Sequence, residues 1–180
     1  MCHHLPIEKE INPMGLDNIP NRYPCSTQGT AVMVTRKDRA GNDILNEDGS
    51  PKEFLDCDAT QSADGCPWLT AVTRDLGNAD GRAVGMLGAP CWYRGKWGNV
   101  LLEKLGIYNA PHISFYGDND DGTVKSPESC RELSNALTSE CKKREGRVVL
   151  GDEDYSADIQ YAAWWTGWVA DECDGSNCWY

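Results

Sequence analysis

Nine cysteines and three histidines carry most of the nucleophilic and metal-ligating potential of this 180-residue chain. Cys2-His3-His4 is the densest ligand group. A terminal amine, two amide nitrogens and the third residue's imidazole form a square-planar donor set suited to copper or nickel, as an alternative to an incidental ligand run. His112 is the only histidine elsewhere, so a Cys–His nucleophilic pair away from the terminus must use it, with Cys91 or Cys66 as its thiol. Two close thiol pairs stand out. Cys57-x8-Cys66 brackets a small polar stretch and could close as a disulfide, while Cys173-x4-Cys178 comes nearest to the spacing of a zinc half-site. Asp118-Asn119-Asp120-Asp121-Gly122 invites a calcium reading. However, aligning Gly122 with the obligatory glycine of such a loop puts Gly117 where an aspartate is needed, which favours a solvated turn.

The other concentration of chemistry is aromatic. Tyr161, Trp164, Trp165 and Trp168 recur at helical spacing, and three of the seven tryptophans lie within residues 164–168. Such a stripe serves either as core or as one wall of a contact face, where Trp, Tyr and Arg are over-represented. Trp92, Tyr93, Arg94 and Trp97 are placed to join the same surface, with Tyr116 and Asp118 supplying an aromatic and acidic rim.

The elements that must position these residues can be read from local pattern. Ser126-Pro127-Glu128 is a helix start: a hydroxyl cap, a proline with preset φ and an acid at the positive helix end. Cys130, Leu133, Leu137 and Cys141 then recur every three or four residues, and the helix is predicted over about 126–145. A second long helix is predicted over about 156–173, with shorter ones over 67–76 and 99–105. Thr30 to Thr35, Phe54-Leu55, 83–87, 113–116 and 148–150 read as strands, and Ile44-Leu45 as a returning strand. Asp56 to Gly65 reads as an exposed loop, and residues 1–24, with four prolines, as an irregular arm on a single domain over 25–180. The fold class is therefore α+β: a small antiparallel sheet, strands mostly in the first two-thirds, and two main helices near the C-terminus.

Bulk composition sets the limits. Leu, Ile, Val and Phe number only 31, but seven Trp, seven Tyr and nine Cys compensate, so the chain is expected to fold around an aromatic and thiol-rich interior. The acidic balance, 28 Asp and Glu against 17 Lys and Arg for a net charge of −11, argues against nucleic acid and suits either solubility or attraction to a basic partner surface. No apolar run approaches the roughly 20 residues of a membrane span. The first residues lack the basic and apolar regions of a signal peptide, so a cytoplasmic setting with reduced thiols is expected.

Over residues 97–180 the pattern runs Trp97, Asn99, Leu101 and Leu102, then Tyr116, Asp118, Gly122 and Val124. It continues through Ser126, Cys130, Leu133, Ala136 and Leu137 to a Trp-rich helix ahead of Cys178-Trp179. This stretch resembles small uncharacterised proteins of actinobacteria and their phages. That group has no assigned activity, so the resemblance implies a bacteriophage or bacterial accessory protein and transfers no site residue.

The functional expectation is a non-enzymatic binding module directed at an unknown protein or small molecule, with Trp92, Tyr93, Tyr116, Asp118, Tyr161, Trp164, Trp165 and Trp168 as contact residues and no cofactor. The alternatives are a small thiol-dependent enzyme using Cys91 and His112, or a structural protein held by zinc or by copper or nickel through Cys173 and Cys178 or through Cys2, His3 and His4.

Overall fold

The computed structural model describes residues 16–63, 65–77 and 91–179. In chain order these form β1 (Asp17–Pro20), α1 (Pro24–Gln28), β2 (Met33–Thr35), β3 (Glu53–Leu55), α2 (Cys57–Ser62), α3 (Pro67–Leu76), α4 (Gly95–Leu105), β4 (Val124–Lys125), α5 (Pro127–Lys143), β5 (Val149–Leu150), β6 (Glu153–Asp154), α6 (Ser156–Glu172) and β7 (Ser176–Trp179). The architecture is α+β. One antiparallel sheet has the order β1-β7-β4, β2 pairs with β3 and β5 with β6, and α5 and α6 are the two long helices.

The helix signals act as expected. Ser126 Oγ accepts the Ser129 amide at 3.2 Å, and Cys130, Leu133 and Leu137 point into the interior from α5. The partner helix α6 has no broad polar face, because nine of its 17 residues are buried, as expected of a helix surrounded by other elements. The two helices approach closely where side chains are small: Ser134 Oγ donates to the Ala163 carbonyl at 2.7 Å, and a Cβ on Gly167 would lie 3.0 Å from that hydroxyl.

Beyond α6 the chain turns at Gly175, with φ of 85° and only 2.3 Å between an added Cβ and the Lys125 carbonyl, so only glycine fits there. This turn delivers β7 into the middle of the sheet, where Asp17 faces Trp179, Asn18 faces Cys178 and Val124 faces Asn177. Asn18 fastens the sheet to the body. Its backbone exchanges hydrogen bonds with Tyr93 at 2.7 and 2.8 Å, and its side-chain amide donates to the Phe115 carbonyl at 2.8 Å. The β2–β3 hairpin lies apart from this core, its intervening residues 36–52 exposed and Phe54 flanked by Arg36 and Lys52.

Several expectations are corrected. Strands are not concentrated in the first two-thirds, since β5, β6 and β7 all follow residue 148. Within the expected arm, residues 17–20 form β1, because β7 supplies a pairing partner, and Pro24 opens α1. The stretch 56–65 is not a loop throughout: Asp56 Oδ1 accepts the Ala59 amide at 2.9 Å, capping α2, and Thr60 is buried. Residues 113–116 form no strand, only a bridge from Ile113 to Asn109. Ile44-Leu45 contributes a bridge, Leu45 with Pro51, rather than a strand. The strand expected at 83–87, and residues 1–15 of the arm, lie outside the described residues. Among the described residues no helix is long and apolar enough to cross a membrane.

Candidate functional site

The aromatic stripe is mainly core. Tyr93 and Trp165 are each 1% exposed, and Tyr161 and Trp168 are also buried. Tyr93 stacks on Phe115 and Trp165 at centroid distances of 4.7 and 5.3 Å and meets Tyr161 at 5.9 Å, while the Trp165 indole donates to the Cys91 carbonyl at 2.9 Å. These rings replace the missing aliphatics, so Tyr93, Tyr161 and Trp165 do not form a contact face. Three other tryptophans reach the surface in part. Trp92 donates to the Tyr23 hydroxyl at 2.8 Å, Trp97 to Asp158 at 3.3 Å and Trp164 to Asp75 at 3.0 Å.

Trp164 is the member of the stripe that borders open space. It stacks on Trp168 at 6.0 Å and lines a groove of about 500 Å³ between the end of α3 and the outer faces of α5 and α6. Asp75, Asp171 and Glu172 face this groove together with Arg74 and Arg131. Arg74 holds the Asp75 carboxylate through two bonds of 2.6 and 2.9 Å, and Arg131 pairs with Asp171. The Arg74 guanidinium, then the Trp164 indole, hold the Asp75 carboxyl down at about 2. A second groove of about 310 Å³ shares Arg74, Trp168 and Glu172 with the first and continues along α3 towards α1.

Four cysteines from separate segments meet elsewhere. Cys25 of α1, Cys57 at the start of α2, Cys66 before α3 and Cys91 line one small apolar cavity of about 20 Å³, closed by Trp68 and Trp168. Cys57 and Cys91 both line it, and each is the strongest influence on the other's thiol. The neighbouring Cys91 thiol holds Cys57 below the ordinary thiol range, whereas Cys57 and burial push Cys91 far above it. Burial also raises Cys25 and Cys66. Cys57 and Cys66 share the cavity with Cys25 and with Cys91, 34 positions beyond Cys57, a grouping that no spacing in the sequence announces.

No family model, curated protein or solved structure matches the chain.

The remaining candidates separate. His112 is exposed after the cis Ala110–Pro111 bond, while Cys91 is buried against Cys57, and no hydrogen bond joins the two. Cys173 ends α6, and Cys178 on β7 accepts from Asn18 at 3.2 Å and donates to the Phe115 carbonyl at 3.3 Å. Both thiols are buried, and burial holds Cys178 at about 12. Cys130, near Ser176 at 3.7 Å, is raised by burial to about 11. Tyr116 is half-buried. Asp118 is exposed, and its carboxylate accepts the Ser126 hydroxyl at 3.0 Å. In the same acidic turn Asn119 and Asp121 accept the Val124 and Thr123 amides, so these side chains close the turn on itself. Among the described residues no three His, Cys, Asp or Glu are grouped to hold a metal ion. Cys2, His3 and His4 lie outside the described residues.

Proposed function

We propose that this protein is a non-enzymatic binding module whose ligand is a basic, extended segment of a partner protein, seated in the groove between α3, α5 and α6. The observation that carries the reading is Trp164, a partly exposed indole stacked on Trp168, fixed in orientation by Asp75 and bordering a groove of about 500 Å³. An indole held this way forms a contact anchor at little entropic cost, and its ring face attracts cations. Glu172 stands beside it together with the ion-paired Asp75 and Asp171, and the net charge of −11 draws a basic segment from a distance. The adjoining groove lengthens the surface along α3, which favours an extended peptide over a compact small molecule.

The test is titration of the full chain with Lys/Arg-rich peptides and with acidic peptides of equal length, followed by tryptophan fluorescence and calorimetry. Selective binding of the basic peptides is expected, weakening with added salt and falling about tenfold or more in Trp164→Ala, a loss of about 1.4 kcal/mol or more. Equal binding by Trp164→Ala, or no preference for basic peptides, rejects the reading.

A further inference from the structure

Arg74, Trp168 and Glu172 line both grooves, so the two meet where these side chains stand. The floor of this junction is a row on α6. Trp164, Trp168 and Glu172 follow one another at four-residue spacing, which sets them on one helix face about 6 Å apart along the axis. Five charged side chains face the larger groove, and four of them are matched: Arg74 holds Asp75, and Arg131 holds Asp171. Glu172 is exposed and, among the described residues, belongs to no ion pair. The charge left over at the junction is therefore one carboxylate, on the same helix face as an indole whose own N–H is committed to Asp75. We propose that this junction is an arginine-selective subsite, in which one arginine of the bound segment lays its alkyl stem on Trp164 and presents its guanidinium to Glu172. The proposal rests on the reading of the groove as a site for a basic segment and narrows it to one side chain.

Lysine and arginine share a charge but not a shape. An ammonium is a compact, strongly hydrated point charge. A guanidinium is flat and more weakly hydrated, so its face can lie against an aromatic ring while its N–H edge bonds both oxygens of a carboxylate. Arg74 shows this edge-on pairing within the same groove, its Nε and Nη2 reaching the two Asp75 oxygens at 2.6 and 2.9 Å. That pairing also neutralises Arg74, which leaves Glu172 to a guanidinium from outside. Trp168 stacks on Trp164 with 13° between the ring planes, so the exposed indole is backed by a buried one and presents a fixed surface to the incoming stem.

The test is calorimetric titration of the full chain with three Lys-rich peptides that differ at one position, occupied by arginine, lysine or citrulline, the last a planar neutral copy of arginine. The arginine peptide should bind about tenfold more tightly than either of the others. Glu172→Gln should bring the arginine-to-lysine ratio close to one. The wild-type series alone reads the preference, so the proposal is tested even if the variant folds poorly. Equal affinity for the arginine and lysine peptides overturns it, and the reading of the groove survives if both still bind more tightly than an acidic peptide of equal length. An arginine preference that persists in Glu172→Gln also overturns it, as does citrulline matching arginine. If no basic peptide exceeds the acidic one, the groove reading itself is rejected and this subsite with it.

Discussion

The indole N–H of Trp164 and Oδ2 of Asp75 meet at 3.0 Å across the gap between α6 and α3. The same carboxylate is gripped by Arg74, so the orientation of the exposed tryptophan depends on one charged group whose titration can be followed. The Asp75 pKa is lowered from an ordinary 3.8 to about 2. A group depressed on folding contributes stability that is fully present above its ordinary pKa and is lost as pH falls through the folded value. Between about pH 4 and 2, Trp164 emission should therefore shift as its acceptor is neutralised. Asp75→Asn should remove that transition from the pH profile. An identical acid profile in the variant rejects the coupling.

Gly98 tests how tightly the aromatic core is set. A Cβ there would lie 2.3 Å from the Phe115 ring, which is stacked on Tyr93 and whose amide donates to Asn99 Oδ1 at 2.7 Å. Helix propensity alone would favour alanine by about 1 kcal/mol, but the clash opposes it. Gly98→Ala should destabilise by about 1–3 kcal/mol in chemical denaturation, and a gain in stability would show that the ring can move aside.

Asn18 tests the sheet-to-core fastening. Its side-chain amide reaches Phe115 O at 2.8 Å from a fully buried position, while the Cys178 thiol also donates to that carbonyl at 3.3 Å. Asn18→Ala removes the stronger donor and should cost about 1–3 kcal/mol, towards the low end because Cys178 remains. Asn18→Ala combined with Cys178→Ala should cost more than the separate losses added together, because the carbonyl is then left with neither donor. Strict additivity in a double-mutant cycle argues against the shared acceptor.

The cap of α5 is the simplest local test. Ser126→Ala deletes the acceptor of the Ser129 amide and should cost about 1 kcal/mol, whereas Ser126→Thr should retain most of it. Thermal unfolding of the two variants side by side reads the hydroxyl's two bonds together, since alanine loses and threonine keeps both the cap and the bond to Asp118.

What could be read from the sequence follows the range of the interaction responsible. α5 was legible because its cap, proline and apolar stripe all lie within 17 residues of one another. The presence of α6 was legible too, but which of its aromatic residues would remain accessible was not. Elements on several sides bury Tyr161, Trp165 and Trp168, and only packing against α3 and α5 leaves Trp164 an open edge. β1 and β7 are short, polar in places and without apolar alternation; each is a strand because the other, 160 positions away, pairs with it. The cysteine-lined cavity was hidden for the same reason. Cys57 and Cys66 are close in sequence, but tertiary packing brings Cys25 and Cys91 to the same cavity. The one local signal overlooked was Asp56, a side-chain acceptor ahead of a stretch that its polarity made look like a loop.

The placement of β7 between β1 and β4 also has a temporal side. During synthesis β1 leaves the ribosome early and β4 well after it, yet neither has a neighbour in that sheet until residues 176–179 emerge. The helical pair can associate first, but the sheet is assembled only when its middle strand arrives. Until then the edges of β1 and β4 that face β7 stay unpaired, which gives a chaperone or a protease a window that closes when residues 176–179 pair.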